Sequence, residues 1–248
     1  MSSLRIHKIQ KFLRLARRLI CDAQLRRNLT SNFSYTINDG FFWDEYVKCW
    51  DESGNNKQLK YLGNEWINEE IFLSLLKKYS AKDKEALEIG CGGGRITSLG
   101  VQLLKHVYAA DISKEMLRKC KESVNVENLS FSQIDGFTLN DFVDESMDFI
   151  YSHDVFVHFS SLQVYPYFKE IKRVLKNDGI GLVSFHNFIV HFDNFKELSL
   201  EFWQQRRFPT HMRNHFITEE ILRYMLQDLN MEILEVEKKN FLIVAFRK

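Results

Sequence analysis

Four glycines in five residues, interrupted only by Cys91, restrict this chain more than any other feature. They stand in Ala86-Leu87-Glu88-Ile89-Gly90-Cys91-Gly92-Gly93-Gly94-Arg95, where a short apolar run meets a segment of helical spacing. A strand that must turn at once into a helix favours residues without side chains, which tolerate φ > 0 and let a ligand approach the backbone. In open α/β sheets, ligands bind beyond the carboxyl ends of the strands, where strand order reverses. Two nucleotide signatures fail here. The dinucleotide pattern G-x-G-x-x-G/A reaches Arg95 at its sixth position when counted from Gly90, and counted from Gly92 it does not continue past Gly94. A P-loop needs Gly-Lys-Ser/Thr, which is absent. What fits is an acid, Glu88, two residues before G-x-G-x-G.

The residues around this loop alternate in period. Apolar runs at Glu85–Ile89, His106–Ala110, Leu129–Ile134, Met147–Ser152 and Gly179–Phe185 are separated by helical patterns at 95–104, 114–124 and 162–175. Such alternation predicts crossover connections and a mostly parallel, doubly wound α/β sheet of Rossmann-like type, with helices on both faces. A helical pattern at 218–228 is followed by Glu232–Glu237 and Phe241–Phe246, close enough for an antiparallel C-terminal hairpin at the sheet edge. Ahead of this core, assigned to 81–248, lies an N-terminal helical and aromatic cap over 1–80. Within the cap, 67–79 has helical spacing and a turn is expected around Gly63.

The 248 residues, 45% apolar and 27% charged, suffice for one sizeable core with decorations. Four scattered cysteines, with no CxxC pair and no Cys/His ligand spacing, argue against a disulfide scaffold or a metal site. They fit a reducing, cytoplasmic compartment. The net charge of +1 hides an asymmetry: residues 1–27 hold eight Lys/Arg and one acid, so the remainder sums to −6. Residues 5–27 have amphipathic helical spacing with basic residues between the apolar ones. The uses open to that helix are docking on the body, pairing two subunits, peripheral contact with the inner face of a membrane, contact with an anionic substrate, or targeting to an organelle.

The ordered set of motifs over about 85–185 strongly resembles the class I S-adenosylmethionine-dependent methyltransferases. Glu88 and the glycines match that family's first motif. Asp111 ends the second strand, 21 residues after Gly90, and in the family a carboxylate there accepts hydrogen bonds from the ribose hydroxyls. Asp135 and Gly136 follow the third strand, where the family contacts the adenine amino group. Met147–Ser152 looks like the fourth strand, and Arg173-Val174-Leu175-Lys176-Asn177-Asp178-Gly179 resembles a further family element. The resemblance implies S-adenosyl-L-methionine as cofactor and S-adenosyl-L-homocysteine as product. It assigns Glu88, Gly90, Cys91, Gly92, Gly94, Arg95, Asp111, Ile112, Asp135, Gly136 and Ser152 to the donor. Tyr61 and Trp66 precede the first strand, where the family places donor contacts, and an aromatic face suits a sulfonium cation.

Methyl transfer from a sulfonium asks the protein mainly to align nucleophile and methyl carbon, and a hydroxyl nucleophile also needs a base. His153 and His186, each placed just beyond a strand, are the leading base candidates, followed by His158. Residues 186–217, rich in aromatics and arginines, read as a lid that shapes the acceptor pocket. The position after the fourth strand reads Tyr151-Ser152-His153-Asp154, without the prolines of base-amine methyltransferases, and no RNA-binding module is recognisable. The expected acceptor is therefore a small molecule or saccharide and not a nucleic acid. O-methylation leads, N-methylation of a sugar amine follows, and a catalytically inactive donor-binding protein is the alternative of another class. The composition has a bacterial look.

Overall fold

The computed structural model describes residues 40–52, 69–205 and 215–248. The basic helix expected over 5–27, the turn at Gly63, Tyr61, Trp66 and the arginines of 206–213 lie outside the described residues. The chain forms α1 (Gly40–Glu52), α2 (Glu70–Tyr79), β1 (Glu85–Ile89), α3 (Thr97–Leu103), β2 (His106–Asp111), α4 (Lys114–Ser123), β3 (Leu129–Gln133), β4 (Met147–Ser152), α5 (Ser161–Val174) and β5 (Leu175–Asn187). It continues with α6 (Phe192–Gln205), β6 (Phe216–Ile217), α7 (Glu219–Asp228), β7 (Glu232–Lys238) and β8 (Phe241–Arg247).

The sheet runs β3-β2-β1-β4-β5-β8-β7, with β6 beside the end of β5. β1 to β5 pair in parallel, and β8 is antiparallel to both β5 and β7. The chain works outward from β1 to β3, then returns to place β4 on the other side of β1. That reversal is the topological switch point, and the crevice above it is where such sheets hold ligands.

Alternate residues of the strands feed two cores. Leu87, Ile89, Ile150 and Val183 pack on Phe168, Ile171, Leu222 and Leu226 of α5 and α7. Ala86, Phe149, Tyr151 and Leu182 face the other way, onto Phe72, Leu75 and Leu76 of α2 and Val101 of α3. Burying one such large apolar side chain contributes roughly 1.5–3 kcal/mol, so a strand covered on both faces is held twice over. Helix starts are fixed locally. Ser113 caps α4 by accepting from Met116 N at 3.0 Å, and Ser160 begins α5 in a capping box with Gln163.

One boundary departs from the sequence reading. β5 begins at Leu175, not Gly179: Leu175 pairs with Met147, Ile180 pairs with Phe149, and the register shifts between them. The intervening residues loop out, with Asp178 at φ 62°. His186 therefore lies within β5, opposite Phe216 and Phe241, and not beyond it. The segment expected as a lid forms α6 and the short β6. No helix among the described residues is long and apolar enough to cross a membrane.

Candidate donor and acceptor site

At the switch point the loops after β1 and β4 nearly touch. Gly90 has φ +76°, and a Cβ built there would lie 2.2 Å from Val155 Cγ2. The turn is tied to β2: Gly90 N and Cys91 N donate to Ala110 O at 2.7 and 3.1 Å, and Gly92 N donates to Asp111 Oδ2 at 2.9 Å. Asp111 Oδ1 accepts from Ser113 N at 2.9 Å. Burial raises the Asp111 carboxyl to about 6, with the Ser113 and Gly92 amides opposing it. Each oxygen keeps lone-pair capacity for a further donor, so Asp111 fits the ribose role that the resemblance implies.

Behind the loop, Glu88 is 3% exposed. The Tyr151 hydroxyl donates to its Oε2 at 3.1 Å, and burial pushes its carboxyl up to about 8, leaving it protonated near neutrality. Tyr151 reaches Glu88 because Gly100 on α3 has no side chain; a Cβ there would lie 2.3 Å from the hydroxyl. Ser152 is fully buried, and its Oγ donates to Ile89 O at 2.8 Å, strapping β4 to β1. Cys91 is buried against Cys120 of α4, which with burial holds its thiol well above the usual value. Arg95 turns to Glu69 at the start of α2 and to Asp154 at 3.8 Å. Burial raises the Asp154 carboxyl to about 6 against the pull of Arg95.

On the adenosyl side, Asp135 is exposed and accepts from Phe137 N and Thr138 N at 2.8 and 2.7 Å. Burial works against its ionised form, but the bonds from Thr138 and Phe137 prevail and hold its carboxyl below the usual value. Gly136 completes that turn at φ 77°, and Ile112 stands half-buried between the two carboxylates in sequence.

α1 covers both halves of the crevice. A Cβ on Gly40 would come within 3.0 Å of Ile112 O. Asp44 Oδ1 accepts from Ser113 Oγ at 2.5 Å and from Glu115 N at 3.2 Å, at the start of α4. Trp43 sets its ring 4.9 Å from that of His158. Sequence reading did not single out Asp44, and no local signal marks it, because its partners lie 69 and 71 positions away.

The three histidines occupy different surroundings. His153 is 7% exposed. Its ring stacks on Phe72 at 4.2 Å and meets Phe241 edge-on at 5.1 Å, and Nδ1 lies 2.9 Å from Ser184 Oγ. Burial, then the Arg95 charge, pulls it down to about 3. His158 sits in the turn at 156–158 and faces α1. His186 is half-buried, 5.0 Å from His191, 5.7 Å from Phe216 and 5.8 Å from Phe241. Its Nδ1 has no hydrogen-bond partner among the described residues. Burial, then His191 and His158, lowers its pKa to about 3. Phe241 thus neighbours the rings of both His186 and His153, while His158 bears on His186 through its charge. Among the described residues no group of three or more His, Cys, Asp or Glu is arranged to hold a metal.

Residues 87–183 match a family model described as a methyltransferase domain. No protein of curated function matches the chain. Among solved structures, a protein of Pyrococcus horikoshii is 24% identical, covering 76% of this chain and 92% of its own, with a TM-score of 0.62. A SAM-dependent methyltransferase of Methanosarcina mazei is 20% identical over 70% of this chain and 96% of its own, with a TM-score of 0.58. An S-adenosylmethionine-dependent methyltransferase of Mesorhizobium loti is 15% identical over 71% and 96%, with a TM-score of 0.57. These likenesses carry the fold, and the stretch over residues 87–183 is similar to methyltransferase domains.

Proposed function

We propose that this protein binds S-adenosyl-L-methionine in the crevice above β1 and β4 and methylates a hydroxyl of a small-molecule or saccharide acceptor. The observation that carries this reading is the Asp111 carboxylate, tied by Gly92 N–H to the glycine turn at the sheet's switch point. Asp111 would take the ribose hydroxyls, Asp135 the adenine amino group, and the turn from Gly90 to Gly94 the amino-acid end. Bound there, the donor supplies a methyl on a sulfonium and leaves as S-adenosyl-L-homocysteine.

The chain's own residues have two tasks, alignment and proton transfer. Alignment of two reactants can supply on the order of 7–11 kcal/mol of a barrier. For the proton, His186 is the candidate base: its ring is half-buried and burial keeps it neutral at physiological pH. His153 is a weaker candidate, because Phe72, Phe241 and Ser184 hold its ring inside the fold. A second reading, N-methylation of an amine, draws on one specific observation. An imidazole held near 3 is a weak proton acceptor, whereas an amine among neutral imidazoles is discouraged from charging and needs no base once neutral. Cytoplasmic location and the absence of a nucleic-acid partner belong to the same reading, as does membrane contact or homodimerisation through the basic N-terminal segment.

Titration calorimetry with S-adenosyl-L-homocysteine tests donor binding; at a hundredfold excess over Kd the ligand should stabilise the fold by about 2.7 kcal/mol. No binding would remove the reading. With donor binding established, transfer of labelled methyl to a panel of sugars, phenols and sugar amines separates the two acceptor chemistries. His186→Gln should lower hydroxyl methylation about 10²- to 10⁴-fold without changing donor affinity.

A further inference from the structure

One stripe of α1 runs along the start of α4. Gly40, Asp44, Val47 and Asp51 follow one another at helical spacing, which places them on one face. Along that face Val47 packs with Met116, and Asp51 pairs with Lys119 at 2.6 Å and with Arg118 at 3.5 Å. Those contacts account for the attachment of the helix. Gly40 and Asp44 do something further: they bracket the peptide unit that joins Ile112 to Ser113. A Cβ on Gly40 would lie 3.0 Å from its oxygen, Ile112 O, to which Gln133 Nε2 donates at 3.2 Å. Asp44 Oδ1 accepts from the Ser113 hydroxyl at 2.5 Å. The N–H of the same unit donates to Asp111 Oδ1 at 2.9 Å, while Gly92 N donates to Oδ2 at 2.9 Å. The plane of the Asp111 carboxylate is therefore set by two amides, and one of them is held from α1.

We propose that Asp44 is a positioning residue of the donor site: it locks Ser113, and through the Ser113 N–H it fixes the plane in which Asp111 presents its oxygens to the ribose hydroxyls. This rests on the donor reading above and goes beyond it by assigning a residue from outside the sheet, acting through Ser113 and not on the donor itself. The Ser113 hydroxyl is used twice. A lone pair accepts from Met116 N at 3.0 Å and caps α4, and the proton goes to Asp44. Glu115 N donates to the same Asp44 oxygen at 3.2 Å, so the carboxylate sits where the first turn of α4 favours an anion. Loss of Asp44 frees the proton but leaves the cap. The helix start survives, while Ser113 gains freedom to turn and Asp111 turns with it. Two neighbouring hydroxyls held by the two oxygens of one carboxylate need those oxygens in a fixed plane, because rotation lengthens one bond as it shortens the other.

The test is Asp44→Ala, read by calorimetry with S-adenosyl-L-homocysteine and with its 2′,3′-dideoxy analogue, which lacks the ribose hydroxyls. Affinity for S-adenosyl-L-homocysteine should fall about 3- to 12-fold, the worth of one hydrogen bond. The analogue, titrated by competition where it binds weakly, should bind variant and wild type alike. Asp44→Asn keeps an oxygen for the Ser113 hydroxyl and should restore most of the loss. Equal weakening of both ligands overturns the proposal, because a merely structural role would not distinguish them. Unchanged affinity for S-adenosyl-L-homocysteine in Asp44→Ala also overturns it and leaves the donor reading intact. Should the alanine variant not fold, Ser113→Ala removes the same bond from its other end and is read against the same two ligands. If the wild type binds neither ligand, the donor reading itself fails and this inference falls with it.

Discussion

Val155, in the turn after β4, occupies the space that a side chain on Gly90 would need, so the loops at the two central strand ends meet through a missing methyl. Its Cγ2 would lie 2.2 Å from a Cβ on Gly90, whose φ of +76° is also unfavourable for any L side chain. Gly90→Ala should therefore cost about 2–4 kcal/mol, from the left-handed backbone and the overpacking together. Donor binding should fail, because relief requires the turn to move. Denaturant titration and calorimetry with S-adenosyl-L-homocysteine check it; wild-type values for both would contradict the close approach.

Glu88 makes stability depend on pH in a defined direction. Its carboxyl titrates at about 8 when folded and at 4.5 when free, so the folded state holds the proton more tightly. The stability it contributes is complete below pH 4.5 and drains as pH rises through about 8, by at most about 1.4 kcal/mol per unit. Glu88→Gln keeps the shape without the charge. It should melt near the wild type at pH 4 and above it at pH 9, and a gap that does not widen with pH would refute the buried proton.

His153 acts on the opposite side of neutrality. Held near 3 when folded against 6.5 when free, it must stay uncharged, so stability falls as pH drops from 6.5 towards 3. His153→Gln should lose about 1–3 kcal/mol at pH 7 through the vacated stack on Phe72, yet show a shallower acid limb. Its affinity for S-adenosyl-L-homocysteine should stay within about threefold of the wild type, since a change below 1 kcal/mol is expected for a side chain outside the pocket. A larger loss would return this ring to the binding site.

Arg95 couples α2 to the turn after β4 through Glu69 and Asp154. Arg95→Met leaves two partly enclosed carboxylates without their cation, and should cost about 1–3 kcal/mol, below the 3–5 of a fully buried pair. The Asp154 carboxyl should then rise above its present value of about 6. Adding Asp154→Asn should recover part of the loss at pH 8; strictly additive effects would mean that the two residues do not interact.

How much of this was legible in the sequence depends on whether the determinant is local. β1 and β4 were bounded correctly because parallel strands covered on both faces are short apolar runs. Asp111 was legible because a strand end and a glycine turn can be counted. The start of β5 was not, because Leu175 joins the sheet through a register shift with Met147 that no periodicity encodes. His153 was read from its place after a strand, but Phe72 and Phe241, far off in the chain, decide where its ring lies. Asp44 was invisible for the same reason: it looks like an ordinary helix acid, and its partners Ser113 and Glu115 are distant in the chain.

The insertion of β8 between β5 and β7 sets an order of assembly. During synthesis β7 leaves the ribosome first, yet the strand it must lie against follows it. Until residues 241–247 emerge and zip onto β5, the nascent sheet ends in an unpaired edge of apolar strand, and β7 has no place to add. Chains truncated just before Phe241 should therefore be more protease-sensitive and more dependent on chaperones than chains that run through Lys248.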